Sequence, residues 1–191
     1  APTGYEFRGW ATTPYGNVKY QPNDPVFVDA NGDNDLYAVW QVKTYTVTWV
    51  NWDNKNLEVD EDVPYGATPK YDGKEPTKAA DAQYTYTFKD WTPEVKTVTG
   101  DATYQATYTK EANSYTLTYD LDGGEWENDT TYTYPKKYNE EVEVKAVPTK
   151  TGYTFADWTS EEVEVVNGKF TMPAKDVVLK AVWEANPTPT P

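Results

Sequence analysis

An internal repeat is the feature that most constrains the fold of this chain. The sequence Tyr-Thr-Val-Thr-Trp at residues 45–49 returns as Tyr-Thr-Leu-Thr-Tyr at residues 115–119, a spacing of 70 residues. Two further markers, each ending in an aromatic residue, occur three times in the same order. The second marker covers residues 4–10, 84–91 and 152–158, and the third covers residues 36–40, 104–108 and 179–183. Ordered markers at one spacing predict tandem modules, each folded from one repeat.

The markers divide the chain of 191 residues into four segments. Residues 42–111 and 112–184 each carry all three markers and are predicted to be whole repeat modules. Residues 1–41 carry only the second and third markers, so they correspond to the C-terminal half of a repeat. Residues 185–191 are rich in Pro and Thr, a composition typical of an extended linker.

The first segment contains no counterpart of residues 45–49, which leaves three interpretations open. The chain begins within a repeat, or the structural unit is out of phase with the markers. The third interpretation is that an exposed strand edge pairs with another molecule, since unpaired edges are templates for association. We also expect the chain to be a mature segment of a larger protein with neighbouring domains, because no signal peptide is recognised.

Alternation with a period of two predicts β-strands within each repeat. Tyr45, Val47 and Trp49 fall on one face, and the intervening Thr residues fall on the other. The same alternation occurs at residues 84–88, 141–146 and 162–165, and the dipeptide Asn167-Gly168 is a strong hairpin signal. The 28 Thr, 20 Val and 17 Tyr residues also favour strands, because β-branched and aromatic side chains fit a pleated surface. The expected fold is mainly β, with at most a short helical turn near residues 77–83.

Composition excludes several classes of function. The chain has no His and no Cys, which excludes His-dependent nucleophilic catalysis, disulfides and the usual zinc sites. Its net charge of −14 opposes binding to nucleic acid or to an anionic lipid surface. No stretch approaches the roughly 18 consecutive apolar residues of a membrane-spanning helix, so no membrane insertion is expected.

The markers of the third repeat resemble a known family. They read Tyr-Thr-Leu-Thr-Tyr-Asp-Leu-Asp-Gly-Gly at residues 115–124, Pro-Thr-Lys-Thr-Gly-Tyr-Thr-Phe at residues 148–155 and Ala-Val-Trp at residues 181–183. This set resembles the Listeria–Bacteroides repeat, also called the internalin-type B repeat, and the middle repeat is a variant with Tyr108 as its closing aromatic. The resemblance implies tandem β-grasp-like modules of about 70 residues on large secreted or wall-anchored bacterial proteins. It also implies a stalk, spacer or adhesive role, with no catalytic residues and no cofactor.

Aromatic residues at fixed repeat positions are interpreted as core. Two such positions are occupied by Trp10, Trp91 and Trp158, and by Trp40, Tyr108 and Trp183. They stand at the apolar positions of the predicted alternating strands, and this pattern indicates burial.

Trp52 and Trp126 follow the opening strands near turn residues and break the alternation. An exposed Trp on a loop stacks on a sugar ring or anchors a protein partner. Together with Tyr65 and Tyr71 they are the candidate binding residues for a glycan or a host surface protein. The alternative is that these Trp residues pack over the open end of the sheet.

One acidic loop has oxygen-bearing side chains at alternate positions. They are Asp29, Asn31, Asp33 and Asp35. This pattern suits Ca²⁺, a hard cation with oxygen ligands. The loop departs from an EF-hand, because its Gly is at the fourth position and Trp40 is at the twelfth. An Asn- and Asp-rich hairpin that precedes the strand at residues 36–40 is the alternative.

The expected function is non-catalytic. The 31 Asp and Glu residues make carboxylate pairs uninformative, and modules this small leave little room for a substrate cleft beside a core. We therefore expect a stalk or spacer, with a role in adhesion, from an extracellular protein secreted by or anchored to the wall of a Gram-positive bacterium. Short joints at residues 41–42 and 111–112 favour a semi-rigid array. The alternative is a carbohydrate- or host-protein-binding module that uses the loop aromatics.

Overall fold

The computed structural model describes residues 1–30, 32 and 34–188, and these residues form twelve β-strands and no helix. The strands are β1 (Tyr5–Ala11), β2 (Tyr37–Val42), β3 (Thr44–Val50), β4 (Asn56–Pro64), β5 (Tyr84–Thr92), β6 (Ala102–Ala112), β7 (Ser114–Asp120), β8 (Thr133–Lys137), β9 (Glu141–Glu143), β10 (Tyr153–Thr159), β11 (Lys169–Thr171) and β12 (Val177–Ala185). The expectation of a mainly β chain is confirmed, and residues 77–83 contain bends where a helical turn was allowed. A helix long and apolar enough to cross a membrane is not found in the described residues.

Two compact units make up the described chain. The first unit contains Ala1–Thr77 and Phe88–Tyr108, and the second contains Lys78–Thr87 and the chain from Thr109 onward. Strands β1 to β4 lie in the first unit and β7 to β12 in the second, while β5 and β6 contribute to both. The predicted repeat boundaries at residues 41 and 111 stay predictions.

The two whole repeats form four-stranded sheets with the same strand order. The orders are β4-β3-β6-β5 and β8-β7-β12-β10. In each sheet the opening strand pairs antiparallel with the next strand and parallel with the closing strand. Val47 lies opposite Ala102 in one parallel pair, and Leu117 lies opposite Val177 in the other. The repeat seen in the sequence is therefore also a repeat in sheet topology.

Each unit has a core built on its opening strand. Val47 and Trp49 of β3 are buried with Val98 and Tyr104 in the first unit. The second unit has a larger buried cluster, which includes residues of β7 and β12 and of the segments that pack against them. Its members are Leu117, Tyr119, Leu121, Val142, Trp158, Phe170, Met172, Val177, Leu179 and Ala181. The period-two prediction for the opening strands is confirmed, because every second residue of β3 and β7 faces the core.

One predicted strand does not form. Residues 162–165 alternate Val and Glu, yet they adopt an irregular conformation in the structure. Val163 and Val165 still pack against the core of the second unit. The carboxylate of Glu162 accepts a hydrogen bond from the N–H of Val178 at 3.2 Å. The alternating pattern here therefore reflects the packing of the Val side chains against the core, and these residues form no strand.

The marker aromatics differ in burial. Trp158 is 7 % exposed, and Trp91 and Trp183 pack half-buried against the cores of their units. Trp40 is 37 % exposed and contacts Phe7, with 5.3 Å between ring centroids. The core interpretation is confirmed at Trp158 and is wrong at Trp40, because β1 and β2 form a sheet of only two strands.

The hairpin of β1 and β2 has the same register as the pair of β10 and β12. Phe7 lies opposite Trp40 in the first, and Phe155 lies opposite Trp183 in the second. In both pairs the register shifts immediately after the Phe, which marks a β-bulge at the same repeat position. The two strand pairs therefore share register and bulge position, and the assignment of the first segment to half of a repeat stays a prediction.

Candidate functional site

An aromatic cleft lies beside the core of the first unit. Its volume is about 450 Å³, and the cyclic side chains that line it are Trp49, Pro69, Tyr71, Pro76, Phe88 and Trp91. Trp49 forms its floor, with its ring centroid 4.7 Å from that of Trp91 and 5.7 Å from that of Tyr71. The Nε1 of Trp49 donates to Oδ2 of Asp60 at 2.9 Å, so the buried indole is satisfied.

Tyr71 forms one wall of the aromatic cleft, and its hydroxyl is already used within the fold. This hydroxyl donates to the carbonyl oxygen of Lys74 at 2.6 Å. Burial raises the pKa of Tyr71, and the nearby charge of Glu58 adds to the rise. Burial also raises the pKa of Glu58, whose carboxylate accepts a hydrogen bond from the N–H of Gly73 at 2.8 Å. The cleft therefore offers ring faces, which suit the apolar face of a sugar or a proline ring.

Trp52 lies in the turn after β3, and its side chain is 48 % exposed. Its backbone is held on both sides: the N–H donates to Oδ1 of Asn51 at 2.9 Å, and the carbonyl oxygen accepts from Nε2 of Gln105 at 3.3 Å. Asn54 adopts a φ of 63°, a left-handed conformation that Asn tolerates in turns. An exposed ring on a fixed backbone matches the predicted geometry, and its role in ligand binding stays a prediction.

Trp126 is half-buried against the core of the second unit. Its ring meets Tyr119 edge-on with 5.3 Å between centroids, and it stacks on Tyr132 at 5.9 Å. Its Nε1 donates to the carbonyl oxygen of Ala146 at 2.7 Å. These contacts agree with the alternative interpretation of Trp126, in which its ring packs over the end of the sheet and does not bind a ligand.

A cation lies over the ring of Trp126. The Nζ of Lys145 is 4.3 Å from the ring centroid, and it forms an ion pair with the carboxylate of Asp129. The Lys145 ammonium also donates to the hydroxyl of Tyr134 at 2.5 Å. The hydrogen bond from Lys145 and a second from the N–H of Thr131 lower the pKa of Asp129 to about 2. The arrangement holds both charges in place at neutral pH.

Near each predicted repeat boundary one residue, here called a joint residue, forms backbone hydrogen bonds through both its N–H and its C=O. In the first unit it is Lys43. Its N–H donates to the carbonyl oxygen of Gly4 at 2.9 Å, and its own carbonyl oxygen accepts from the N–H of Tyr65 at 2.8 Å. The ring of Tyr65 packs on Gly4. Tyr65, a predicted binding residue, therefore lies at a joint.

Asn113 is the joint residue of the second unit. Its N–H donates to the carbonyl oxygen of Gln83 at 2.9 Å, and its carbonyl oxygen accepts from the N–H of Tyr138 at 2.8 Å. Its side chain adds two bonds: Nδ2 donates to the carbonyl oxygen of Asp81 at 2.7 Å, and Oδ1 accepts from the hydroxyl of Thr85 at 2.8 Å. Four hydrogen bonds thus hold this single residue, and all of its partners lie in the second unit.

The acidic loop is closed by its own hydrogen bonds. The N–H of Asp29 donates to Oδ1 of Asn34 at 2.8 Å, and Nδ2 of Asn34 donates back to the carbonyl oxygen of Asp29 at the same distance. Asn31 and Asp33 lie outside the described residues, and Asp35 is exposed. Within the described residues, no group of three or more acidic side chains is arranged to hold a metal ion. Calcium binding stays a prediction.

The four predicted aromatic residues occupy four different places. Tyr71 lines the aromatic cleft, Trp52 lies in a turn, Tyr65 lies at a joint and Trp126 covers the core of the second unit. The joint residues were missed, although each stands two positions before the first Tyr of an opening strand in the sequence. Phe88 was missed as a cleft residue, since its alternation indicated only a strand face.

The model of the Listeria-Bacteroides repeat domain matches residues 1–39 and 115–182, more than half of the chain. The matched residues are the first segment and the third repeat, while the variant middle repeat lies outside the match.

Two relatives are proteins of Evansella cellulosilytica. One carries the name of a Gly-rich membrane protein and is 29 % identical over 195 aligned residues, and the other carries the name of a membrane protein and is 25 % identical. Both alignments cover 96 % of this chain, but only 21 % and 27 % of the relatives. This chain therefore spans between about a fifth and just over a quarter of the length of those proteins.

Among solved structures, the chain matches domains 3–4 of the Streptococcal High Identity Repeats in Tandem from a cell surface protein. The sequence identity is 17 % and the TM-score is 0.37, with 76 % of this chain and all of the other covered. At this similarity nothing about function follows.

Proposed function

The chain belongs to the Listeria-Bacteroides repeat domain family, and from that premise we propose that it is a non-catalytic stalk or spacer segment of a bacterial surface protein. In this role tandem repeats hold a neighbouring domain of the parent protein at a distance from the cell. An adhesive role is compatible with the same segment, because a spacer also presents its own surface.

The hydrogen bonding of the joint residues carries this proposal. Lys43 and Asn113 each bond through N–H to a residue of one predicted repeat and through C=O to a residue of the next predicted repeat. A linker held on both sides loses the freedom of a flexible chain, and short ordered joints limit motion between modules. A spacer needs restricted motion between its modules, because a flexible chain does not keep its two ends at a fixed distance.

The modules are proposed to be β-grasp-like. The support is the shared strand order, in which opening and closing strands are central, adjacent and parallel, and the other two strands flank them.

An extracellular location is proposed, with the chain secreted or anchored to the cell wall. The family match and the names of the two relatives support this location. The net charge of −14 favours solubility of an exposed array.

Distances between two spin labels, measured by pulsed electron–electron double resonance, test the spacer role. The chain has no Cys, so pairs of introduced Cys residues carry spin labels without background. Labels at Val59→Cys and Val166→Cys, both exposed, report on consecutive repeats. We expect a narrow distance distribution, close in width to that of the control pair Val147→Cys and Val166→Cys within the third repeat. A distribution as broad as that of a flexible linker would remove the spacer proposal.

A second candidate function is recognition of a glycan or a host surface protein, which the aromatic cleft and the exposed ring of Trp52 favour. A glycan and matrix-protein array is probed with the intact chain, with and without Ca²⁺. The expected result is binding that Trp52→Ala or Tyr71→Ala removes and that Trp126→Ala leaves in place. Calcium-dependent binding would implicate the acidic loop, and no binding in either condition would remove this function.

A further inference from the structure

The aromatic cleft lies in the middle repeat, and hydrogen bonds of the backbone align this repeat with the third. The N–H of Gly66 donates to the carbonyl oxygen of Val98 at 2.8 Å, and the N–H of Asn139 donates to the carbonyl oxygen of Met172 at 2.9 Å. Val98 and Met172 are both buried in the cores of their units. The two residues therefore hold the same core position, and the segments around them can be compared residue by residue.

The connection that leads to this core position is shorter in the middle repeat. Val98 stands seven positions after Trp91, whereas Met172 stands fourteen positions after the equivalent Trp158. The longer connection of the third repeat contains β11, which pairs antiparallel with β9. Phe170 of β11 is 6 % exposed and belongs to the core cluster of the second unit. The third repeat thus fills part of its core with a phenyl ring from the longer connection.

The middle repeat places a different side chain at this position. The counterpart of Phe170 is Lys96, two positions before the shared core residue. Its side chain is 74 % exposed, and its Nζ pairs with the carboxylate of Glu94 at 3.5 Å. Across the ladder Phe170 lies opposite Val142, whose counterpart by the aligned backbone bonds is Pro69, a residue that lines the aromatic cleft. The cleft is therefore open where the third repeat holds a phenyl ring.

The backbone beside the aromatic cleft is poorly suited to an added strand. Pro69 has no N–H and lies in a segment without strand structure, whereas its counterpart Val142 lies in β9. Because a proline removes a donor from a β-ladder, an occupant gains little from backbone pairing here. The cleft instead presents the rings of Tyr71, Phe88 and Trp91. These rings suit an occupant that binds through flat apolar side chains and needs no ladder partner.

Polar groups at the aromatic cleft are engaged within the fold. The hydroxyl of Tyr71, the Nε1 of Trp49 and the carboxylate of Glu58 each have a hydrogen-bond partner in the protein. A sugar ring carries several hydroxyls, which lose bonds to water when they bind beside groups that are already paired. A proline ring carries no donor. The charged residues of the lining, Lys70 and Glu75, are opposite in sign, so the lining favours a neutral, proline-rich ligand over a sugar.

The indole of Trp91 supplies a hydrogen-bond donor at the aromatic cleft. Among the described residues, its Nε1 donates to no acceptor, and none of their buried side-chain nitrogens lacks a partner, so this atom reaches solvent. The carbonyl oxygens of a polyproline II segment have no partner within that helix. Ring faces beside an N–H donor therefore match such a segment, since the rings contact prolines and the donor binds a carbonyl oxygen.

From these observations we infer that the aromatic cleft is a docking site for a proline-rich segment of a protein partner, bound in the polyproline II conformation. The inference rests on the recognition function proposed as the second candidate for this chain, and it specifies the chemistry of the partner. The proline rings take the place that Phe170 fills in the third repeat, and a carbonyl oxygen accepts from Nε1 of Trp91. A polyproline II segment is extended before it binds, so it loses little conformational freedom.

Nonaproline is the probe for this site, titrated into the full chain and followed by the indole N–H signals in ¹H–¹⁵N NMR spectra. We expect saturable binding that shifts the signal of Trp91 and leaves that of Trp158, the equivalent ring of the third repeat, in place. Trp91→Phe keeps an aromatic ring and removes the donor, so it is expected to weaken binding about threefold to tenfold. Trp158→Phe is the matched control and is expected to leave the affinity unchanged.

Cellohexaose and a peptide of residues 185–191 test the other occupants. Absence of saturable binding by nonaproline would overturn the inference. A larger shift of the Trp91 signal with cellohexaose would also overturn it, because a glycan would then be the ligand. Self-association of the chain that the 185–191 peptide abolishes would do the same, because the partner would be a second copy.

The array of glycans and matrix proteins separates this inference from the recognition function on which it rests. Array binding that Tyr71→Ala removes and nonaproline does not displace would leave the recognition function in place and remove the inference. Array binding that nonaproline displaces is the expected result.

Discussion

The ring of Tyr65 packs on the backbone of Gly4 so closely that a Cβ atom at residue 4 would overlap it. Gly4 has a φ of 80°, and Gly152, which precedes the equivalent hairpin, has the same φ. Nothing lies within 4 Å of the position of a Cβ at Gly152. The two glycines therefore share a backbone conformation and differ in their surroundings.

This difference predicts unequal effects of the same substitution. Gly4→Ala and Gly152→Ala both place a side chain at positive φ, which costs about 1–2 kcal/mol. Gly4→Ala must also displace Tyr65, and we expect an additional cost of about 1 kcal/mol or more in the free energy of local opening. Native-state hydrogen exchange of β1 and β10 measures both costs. Equal losses of protection would contradict the packing of Tyr65 on Gly4.

Trp52 and Trp126 are predicted to separate binding from stability. Trp126→Ala removes a half-buried ring, a hydrogen bond and a cation–π contact, and we expect a loss of about 2–3 kcal/mol in the free energy of unfolding. Trp52→Ala removes a half-exposed ring from a turn, with an expected change of about 0.5 kcal/mol or less. Denaturant unfolding measures both. A Trp52→Ala variant as unstable as Trp126→Ala would show that the turn ring is structural.

The ion pair of Asp129 and Lys145 predicts a loss of stability in acid. The folded-state pKa of Asp129 is about 2, below the ordinary value of 3.8, mainly because Lys145 donates a hydrogen bond to it. A lowered carboxyl pKa stabilises the fold fully above the unfolded-state value, and this stabilisation is lost as pH falls through about 2. Thermal unfolding of the natural chain and of Asp129→Asn should therefore converge in that window. A stability difference that stays constant with pH would contradict it.

The same pair predicts that no covalent crosslink joins these two side chains. Amide formation between Lys145 and Asp129 releases water and requires a neutral amine and a protonated carboxyl group. The lowered pKa of Asp129 keeps the carboxyl ionised instead. The intact mass of the chain is therefore expected to equal its sequence mass. A mass lower by one water, mapped to a peptide that links the two residues, would contradict this expectation.

Asn113 is predicted to stiffen its joint through its side chain. Asn113→Ala removes the bonds to Asp81 and Thr85, each with a net contribution of about 1 kcal/mol, and keeps the backbone bonds. We expect a broader spin-label distance distribution between Val59→Cys and Val166→Cys. The same pair of labels in the chain with Asn113 unchanged is the reference. Identical widths with and without Asn113→Ala would assign the stiffness to the backbone alone.

Local patterns in the sequence predicted the opening strands well, and they predicted burial less well. The alternation at residues 45–49 and 115–119 specifies a strand and its inner face, because both depend only on neighbouring residues. The exposure of Trp40 depends on the number of strands beside it, which no local pattern contains. Val163 and Val165 are half-buried against the core of the second unit, without a strand partner.

The candidate site shows why repeat spacing alone misplaces loop residues. Tyr71 packs on Trp49 in the first unit, and Trp126 packs on the equivalent Tyr119 in the second. The two rings cover matching core positions, but they come from loops at different distances along the repeat. Alignment by spacing pairs Trp52 with Asp122 and so gives no sign that Tyr71 and Trp126 correspond.

The parallel pairing of opening and closing strands has a mechanical consequence. Tension along the polypeptide enters a repeat at the start of its opening strand and leaves at the end of its closing strand. Because β7 and β12 are adjacent and parallel, these two points lie at opposite ends of one ladder, and a pull shears its hydrogen bonds together. Ladder bonds loaded in shear break as a group, whereas bonds loaded at one end unzip in turn. Each complete repeat is thus built to resist stretching.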